Sequence, residues 1–357
     1  MPVIRGANMG QGRWVGGEFV YVSPQKADAL AANCARPGDL IFTQRGTIGQ
    51  VALVPSGGAD RYLISQSQMK LTVDIYKTSA LFLYYVFTSL EQQCYIRQHA
   101  IQTGVPHTNL GILRNTPLRL PPVAEQRNIA TVLGGLDDKI ELNSRMNATL
   151  EQMARTLFQS WFVDFDPVRA KIDGRAPAGL DAETAALFPD HLTETEIGHV
   201  PQGWEVRNLD KAAHYLNGLA LQKYPANHNP TLPVIKIAQL RKGDTEGADR
   251  CNSNVPSEYV VQDGDVLFSW SGSLEVELWC GGPGALNQHL FKVTSNEFPK
   301  WFYYLWTLHH LDEFRLIAAA KATTMGHIQR GHLSAAKVLV PPRPLLDAMT
   351  CIVSPLI

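Results

Sequence analysis

Cysteine is scarce and scattered in this chain. Its 357 residues hold five, Cys34, Cys94, Cys251, Cys280 and Cys351, with no CxxC pair among them. That spacing argues against a disulfide framework and a thiolate zinc site, and predicts a reducing, cytoplasmic setting. Long apolar runs are missing too. The longest, "ALFLYYVF" at residues 80–87, falls far short of a bilayer span, and no basic start followed by an apolar stretch marks a secretory leader. Nor is there an excess of one charge: 32 Lys+Arg stand against 33 Asp+Glu, a formal net of −1. The recognisable catalytic motifs are also lacking. There is no P-loop and no HExxH; "GQGRWVGG" at residues 10–17 has the wrong glycine spacing for a dinucleotide fold, and "GGPG" at 281–284 has no Lys-Ser after it. The eleven histidines are scattered.

What is present is an ordinary globular composition, 45% apolar and 18% charged, in a chain long enough for two domains and a connector. The charge is unevenly spread. Residues 1–122 carry a net of +5, residues 123–200 a net of −6, and residues 201–357 none. A basic module beside an acidic stretch can still attract phosphate locally, because salt screens distant charge.

The strongest signal is an internal repeat. "PVIRGAN" at residues 2–8 returns as "PVIKIAQ" at 233–239, and "GDLIFTQRGTI" at 38–48 as "GDVLFSWSGSL" at 264–274. Gln68 in "SQMKLTV" matches Gln288 in "NQHLFKV", and "FLYYVFT" at 82–88 matches "WFYYLWT" at 301–307. "TGVPHTNLGIL" at 103–113 pairs with "TTMGHIQRGHL" at 323–333, and Pro121-Pro122 with Pro341-Pro342. Each copy reads as a mixed α+β unit. "DLIFT" and "DVLFS" are strands opened by Gly-Asp turns. "ALFLYYVFTSLEQQCYIRQH" is one helix without a breaker, its tyrosines packed on a sheet rather than stacking on bases. "TPLRLPP" and "KVLVPP" are last strands leading into proline-opened helices.

Between the copies, residues 123–165 form a long helix. Ile129, Leu133, Leu136, Ile140, Asn143, Asn147, Leu150, Ala154, Leu157 and Trp161 recur at alternating three- and four-residue steps, a coiled-coil seam with two polar positions. At about 1.5 Å per residue such a rod would measure about 60 Å, with Gly134-Gly135 as a possible bend. Residues 166–202, rich in Pro, Gly and acid, read as a connector. The expected organisation is a first module at 1–122, the helical spacer at 123–165, the connector at 166–202, a second module at 203–340 and a second helix beginning at 341–357.

Two like modules on a stiff spacer would read two half-sites on duplex DNA, whose groove repeats about every 34 Å. The chain resembles the specificity (S) subunit of type I restriction–modification systems. The resemblance rests on the repeated "GD-(L/V)-(I/L)-F-(T/S)" strand, "PPVAEQRNIATVLGGLDDKIELN", "LFQSWFVDFDPVRAK", "GLDAETAALFP" and "VPQGW". It implies two α+β target-recognition domains separated by a coiled-coil-type helix. It also implies a non-catalytic, cytoplasmic protein bound to double-stranded DNA, to adenine methyltransferase subunits and to motor-nuclease subunits. S-adenosylmethionine, ATP and Mg would serve those partners only, and the chain itself would need no cofactor and no metal. The absence of an "NPPY"-type methyltransferase motif fits that reading. A fused modifying enzyme with a divergent active site and a non-functional scaffold are the alternatives.

Arg and Lys suit guanine edges and phosphates, Asn and Gln adenine. Turns that differ between the copies are where different half-sites would be read. They supply Arg5, Asn8 and Arg13 against Lys236, Gln239, Arg241 and Lys242, and Gln44 and Arg45 against Trp270 and Ser271. The matched His107 and His327, and Gln68 and Gln288, fit shared scaffold or phosphate contact. The second module has an opening, residues 203–224, with no counterpart in the first, and only the first Pro-Pro leads into a full helix. The chain therefore reads as a specificity subunit clipped at both ends, whose helix seam would lack its partner and would drive self-association or dependence on methyltransferase subunits.

Overall fold

The computed structural model describes residues 1–10, 12–102, 105–227, 230–320 and 326–357. It divides into two compact units, Met1–Arg145 and Met146–Ile357. The quoted repeat stretches 103–113 and 323–333 lie partly outside the described residues.

Unit 1 holds two sheets. One has strand order Val20–Tyr21, Pro2–Ile4, Tyr62–Ile64, Cys34–Ala35; the other runs Val51–Leu53, Leu40–Thr43, Gln68–Leu71. All four residues of Leu40–Thr43 are buried, which explains a run without polar alternation. Side chains on a strand alternate between faces. Leu40 and Phe42 accordingly join Phe82, Leu83, Phe87 and Ile96 in a core on the helix side, while Ile41 packs with Ile4, Ala35 and Tyr62 on the other.

Unit 2 repeats this plan strand for strand. Val276–Leu278, Val266–Ser269 and Leu290–Thr294 reproduce the second sheet, and Arg250–Asn252, Thr231–Ile235, Gly284–Leu286 and Val260–Val261 the first. The pairing senses agree as well: Pro2–Ile4 runs parallel to Tyr62–Ile64, as Thr231–Ile235 does to Gly284–Leu286. Val266 and Phe268 enter the large core and Leu267 the opposite one.

Three expectations are corrected. The helix expected over residues 80–99 is two, Ala80–Thr88 and Leu90–His99. Ser89 breaks it: its backbone is extended, its hydroxyl donates to the Val86 carbonyl at 2.7 Å, and the same oxygen accepts from the Gln92 amide. Of the two expected last strands only Lys337–Val340 forms. It pairs with Glu205–Asn208, a strand from the opening for which unit 1 has no equivalent, and residues 116–120 stay irregular. Residues 166–202 are folded rather than a loose connector. They form the helices Asp166–Ile172 and Ala182–Leu187 and the hairpin Leu192–Thr195/Gly198–Pro201, and Val168, Phe188 and Val200 lie in the main core of unit 2.

The long helix Val123–Phe158 runs unbroken through Gly134-Gly135 and widens into a π-turn at Gln159–Val163. In unit 1 the buried face is Gln126, Ala130 and Gly134, displaced from the apolar seam. Gln126 explains the phase. Its Oε1 accepts from the Thr78 hydroxyl at 2.7 Å and the Ser79 amide at 3.1 Å, and its Nε2 donates to the Pro121 carbonyl at 2.8 Å. A buried amide so satisfied fixes the helix rotation more firmly than a methyl contact would. A Cβ at Gly134 would come within 3.2 Å of Leu81 and 3.3 Å of Arg13, so a larger residue there would oblige these side chains to shift. Of the predicted seam, Ile129, Leu136 (56% exposed), Ile140 (64% exposed), Asn143 and Asn147 face solvent within these units. Leu133, Leu150 and Leu157 are half-buried. Ala154 and Trp161 are buried with Phe158 and Phe162 in the core of unit 2.

Equivalent tyrosines hold the helix in the two units. Tyr85 donates to Asp137 at 2.7 Å, and Tyr304, at the corresponding place in the repeat, donates to Glu151. Burial and the bond to Asp137 push the Tyr85 phenol up to about 12. Burial raises the Tyr304 phenol too, together with its bond to Glu151.

The two adjacent glycines should respond in opposite directions. Gly135 has open space around it, so Gly135→Ala should stabilise unit 1 by roughly 0.5–1 kcal/mol through helix propensity. Gly134→Leu should destabilise it by about 1–3 kcal/mol through overpacking. Urea denaturation of both variants checks the pair.

Candidate nucleic-acid interface

In both units the end of the doubly buried strand leads into a turn held by two other loops. In unit 1 the Gln44 amide donates to the Ser67 carbonyl at 2.7 Å, the Thr108 amide donates to the Gln44 carbonyl at 2.9 Å, and Arg45 bridges His107. In unit 2 the Trp270 amide donates to the His289 carbonyl at 3.3 Å, the Ile328 amide donates to the Trp270 carbonyl at 3.0 Å, and Ser271 bridges His327. One backbone frame thus presents Gln44, Arg45, Gln66, Ser67 and His107 in unit 1, and Trp270, Ser271, Gln288, His289 and His327 in unit 2.

The same bonds correct one pairing. Ser67 stands where His289 stands, so Gln66, not Gln68, is the counterpart of Gln288. Gln68 corresponds to Leu290: each amide closes a tight turn onto the carbonyl three residues back, Ser65 or Asn287. The lysines two residues further on agree, since Lys70 donates to the Cys34 carbonyl and Lys292 to that of its counterpart Val260, at 3.0 Å. Gln66 is exposed. Gln68 is only 4% exposed, with its Oε1 engaged by Ser65 and its Nε2 buried without a partner. Equal letters two positions away concealed Gln66; the lysines were the signal that could have revealed it.

Arg45 is exposed at the tip of its turn. Ser271, its counterpart, is buried and within 3.0 Å of His289 Nδ1. Trp270 is held by two bonds from its indole N–H, to Asn217 Oδ1 at 2.9 Å and to the Gln288 carbonyl at 3.2 Å, and its ring lies 5.8 Å from His289 and 6.3 Å from His327. Beneath the turns the floors differ. Thr108, buried with an unpartnered hydroxyl, and Gln68 stand where unit 2 has the buried Ile328 and Leu290.

The other candidates differ in how far they are engaged by the protein itself. Asn8 is 1% exposed; it accepts from the Arg5 amide at 3.0 Å and donates to the carbonyls of Gly16 and Glu18 at 2.9 Å each. Gln239 caps its helix in the same manner, accepting from the Lys236 amide at 3.3 Å. Both amides serve the backbone that a base-reading residue would have to leave. Arg13 donates to the Gly134 carbonyl at 3.2 Å, pairs with Asp138 and lies over Trp14, which makes it a tie to the long helix. Arg5 is half-buried and reaches the Glu18 carbonyl at 3.4 Å. Lys236 pairs with Asp249, and Lys242 with Asp244 and Glu246. These are exposed pairs of small worth that phosphate could replace. Arg241 is exposed at the end of its helix.

Among the described residues no group of His, Cys, Asp and Glu is placed to hold a metal ion, and no helix is long and apolar enough to cross a membrane.

The family model of the type I restriction modification DNA specificity domain matches this chain twice, at residues 14–152 and 201–344. The chain is similar to the type I restriction enzyme MjaIX specificity subunit of Methanocaldococcus jannaschii, with 24% identity over 355 residues, 95% of this chain and 77% of that one. It is also similar to the HindI specificity subunit of Haemophilus influenzae, with 29% identity over 317 residues, 75% of this chain and 68% of that one. Among solved structures, the S subunit of a type I restriction–modification system from M. genitalium aligns at 15% identity and a TM-score of 0.46, covering 99% of this chain and 84% of that one. The HsdS subunit of Thermoanaerobacter tengcongensis aligns at 18% and 0.35 with the same coverages. With the family's domain found once in each half of a repeat that the strand order and the hydrogen-bond frame reproduce, the chain belongs to the DNA specificity subunits of type I restriction–modification systems.

Proposed function

We propose that each unit reads one half of a bipartite duplex site through its turn cluster, and that the chain performs no chemistry of its own. The observation that carries this reading is a shared backbone frame whose side chains differ at three of its five positions. Residues 44, 45, 66, 67 and 107 and residues 270, 271, 288, 289 and 327 stand at matching backbone positions; Gln66/Gln288 and His107/His327 are shared, while Gln44/Trp270, Arg45/Ser271 and Ser67/His289 offer different donors and acceptors, as two different half-sites demand. Arg45 and Gln66, exposed on loops, are the base-reading candidates of unit 1. Gln288 and the imidazoles of His289 and His327 are those of unit 2. Gln44, Trp270 and Ser271 support the turns, while Lys236, Arg241 and Lys242 are the candidates for phosphate contact.

Adenine methyltransferase subunits would use S-adenosylmethionine, and motor-nuclease subunits ATP and Mg, at the site this chain selects in the cytoplasm. The exposed Ile129, Leu136 and Ile140 are the surface assigned to those partners, or to self-association in their absence.

Mapping of methylated adenines in cells carrying chain variants tests the assignment. Arg45→Ala should weaken binding by about 1–3 kcal/mol and relax sequence choice in one half-site alone; relaxation in both halves, or in neither, contradicts it. Binding of the assembled complex to its site should fall steeply with added salt. The chain alone, given S-adenosylmethionine and duplex DNA, should transfer no methyl group, and incorporation of label would restore the enzyme reading.

A further inference from the structure

The two units hold the cations beside their turn clusters in opposite ways. Arg5 follows the strand Pro2–Ile4 and Lys236 the strand Thr231–Ile235, each at the end that meets a cluster loop. The Ser65 amide donates to the Ile4 carbonyl at 3.0 Å, and the Asn287 amide to the Ile235 carbonyl at 3.2 Å. A Cβ at Gly272, in the turn itself, would stand 3.6 Å from Ile237.

In unit 2 the lysines of this segment are engaged by carboxylates that follow them in the chain. Lys236 pairs with Asp249, and Lys242 with Asp244 at 3.0 Å and Glu246 at 3.2 Å. The bond to Lys236 holds the Asp249 carboxyl below its usual range, and Lys242 does the same to Asp244. Arg250 donates to the Thr231 hydroxyl and carbonyl, which leaves Arg241. Unit 1 lacks this arrangement. Val3 stands opposite Val20, and its counterpart Val234 bonds through its amide to the Asp249 carbonyl. Exposed Val20 therefore takes the place of Asp249. Arg5 has no carboxylate partner among the described residues. Its Nε is buried without a bond, and its Nη2 reaches only the Glu18 carbonyl, at 3.4 Å.

We propose that Asp249, Asp244 and Glu246 compete with DNA phosphate for Lys236 and Lys242, so that unit 2 grips the duplex backbone weakly while unit 1 takes phosphate directly on Arg5. The inference rests on the reading that the turn clusters face the duplex. A paired lysine gains from phosphate only the difference between two anions, and the carboxylate it releases then repels that phosphate. A patch neutralised in advance also releases fewer counterions from the duplex. The carboxylates thereby trim the sequence-independent part of binding in unit 2 and leave more of it to base contacts.

The test measures binding of the assembled complex to a duplex of random sequence as salt is varied. The variant Asp244→Asn/Glu246→Gln/Asp249→Asn should bind about tenfold more tightly, its log–log salt slope steeper by about two. A charge-matched control on exposed residues outside the cluster, Glu183→Gln/Asp190→Asn/Glu194→Gln, should leave affinity and slope as they were. Val20→Asp should do the reverse in unit 1, weakening binding about threefold and flattening the slope by about one. Tightening that is absent, or equally large in the control, overturns the proposal, and so does Val20→Asp without effect. Methylated-adenine mapping of Arg45→Ala reports separately on the underlying reading. If that variant relaxes one half-site while the triple variant binds like the parent, the competition alone is refuted; if neither has an effect, both are.

Discussion

Each unit is organised around a strand buried on both faces, and the position of its turn cluster follows from that. Leu40 and Phe42 belong to one core and Ile41 to another, as Val266 and Phe268 are divided from Leu267. A slip of one residue would exchange the two sets, so the register has no near competitor. The turn that follows inherits this precision. It is pinned to one neighbouring loop through its own amide and to another through its carbonyl, before any side chain is chosen. Side chains beyond that point can vary without moving the frame, which is the property a pair of differing readers requires.

The long helix is held in its two parts by different chemistry around one shared device. The tyrosine–carboxylate bond recurs, Tyr85 to Asp137 and Tyr304 to Glu151. Around it, unit 1 uses polar fit: Gln126 bonded to Thr78, Ser79 and Pro121, a glycine at 134, and Arg13 laid between Trp14 and Asp138. Unit 2 uses aromatic mass. Phe158 meets Trp306 edge-on at 5.0 Å, and Phe162 contacts Trp204, Trp301 and Phe302. Aromatic contacts of this kind are directional as well as apolar, so both arrangements fix rotation about the helix axis.

The repeat was legible in the sequence through its self-similarity, and its α+β character, the "DLIFT" and "DVLFS" strands and the long helix through local hydropathy and punctuation; the burial of those strands on both faces was not. The misread features each depended on a partner remote in the chain. Residues 117–120, Pro-Leu-Arg-Leu, stand in the place of the Lys337–Val340 strand, whose pairing with Glu205–Asn208 has no counterpart among the described residues of unit 1. Gln126 and Gly134 set the helix phase, and a hydropathy scan passes over both. Ser89 ends a helix by bonding to its neighbours' backbone although nothing around it is Gly or Pro. At the turn cluster, Arg45, His107 and His327 were found from their places in matching turns. Gln66 was hidden by a change of four residues in the spacing between the strands, visible only once the carbonyl of Ser67 is seen to stand for that of His289. Asn8 and Gln239 were chosen as readers for a chemistry that the backbone had already engaged.

The two floors carry a consequence for anyone wishing to redirect such a protein. Beneath the first cluster lie Gln68 and Thr108, each with a buried polar atom left unanswered; beneath the second lie Leu290 and Ile328. Loops lifted from one unit and set upon the other would rest on a support of the opposite polarity. Their polar underside would meet hydrocarbon, or their apolar underside an unsatisfied amide. New preferences would then have to be transplanted two layers deep, tip and foundation together.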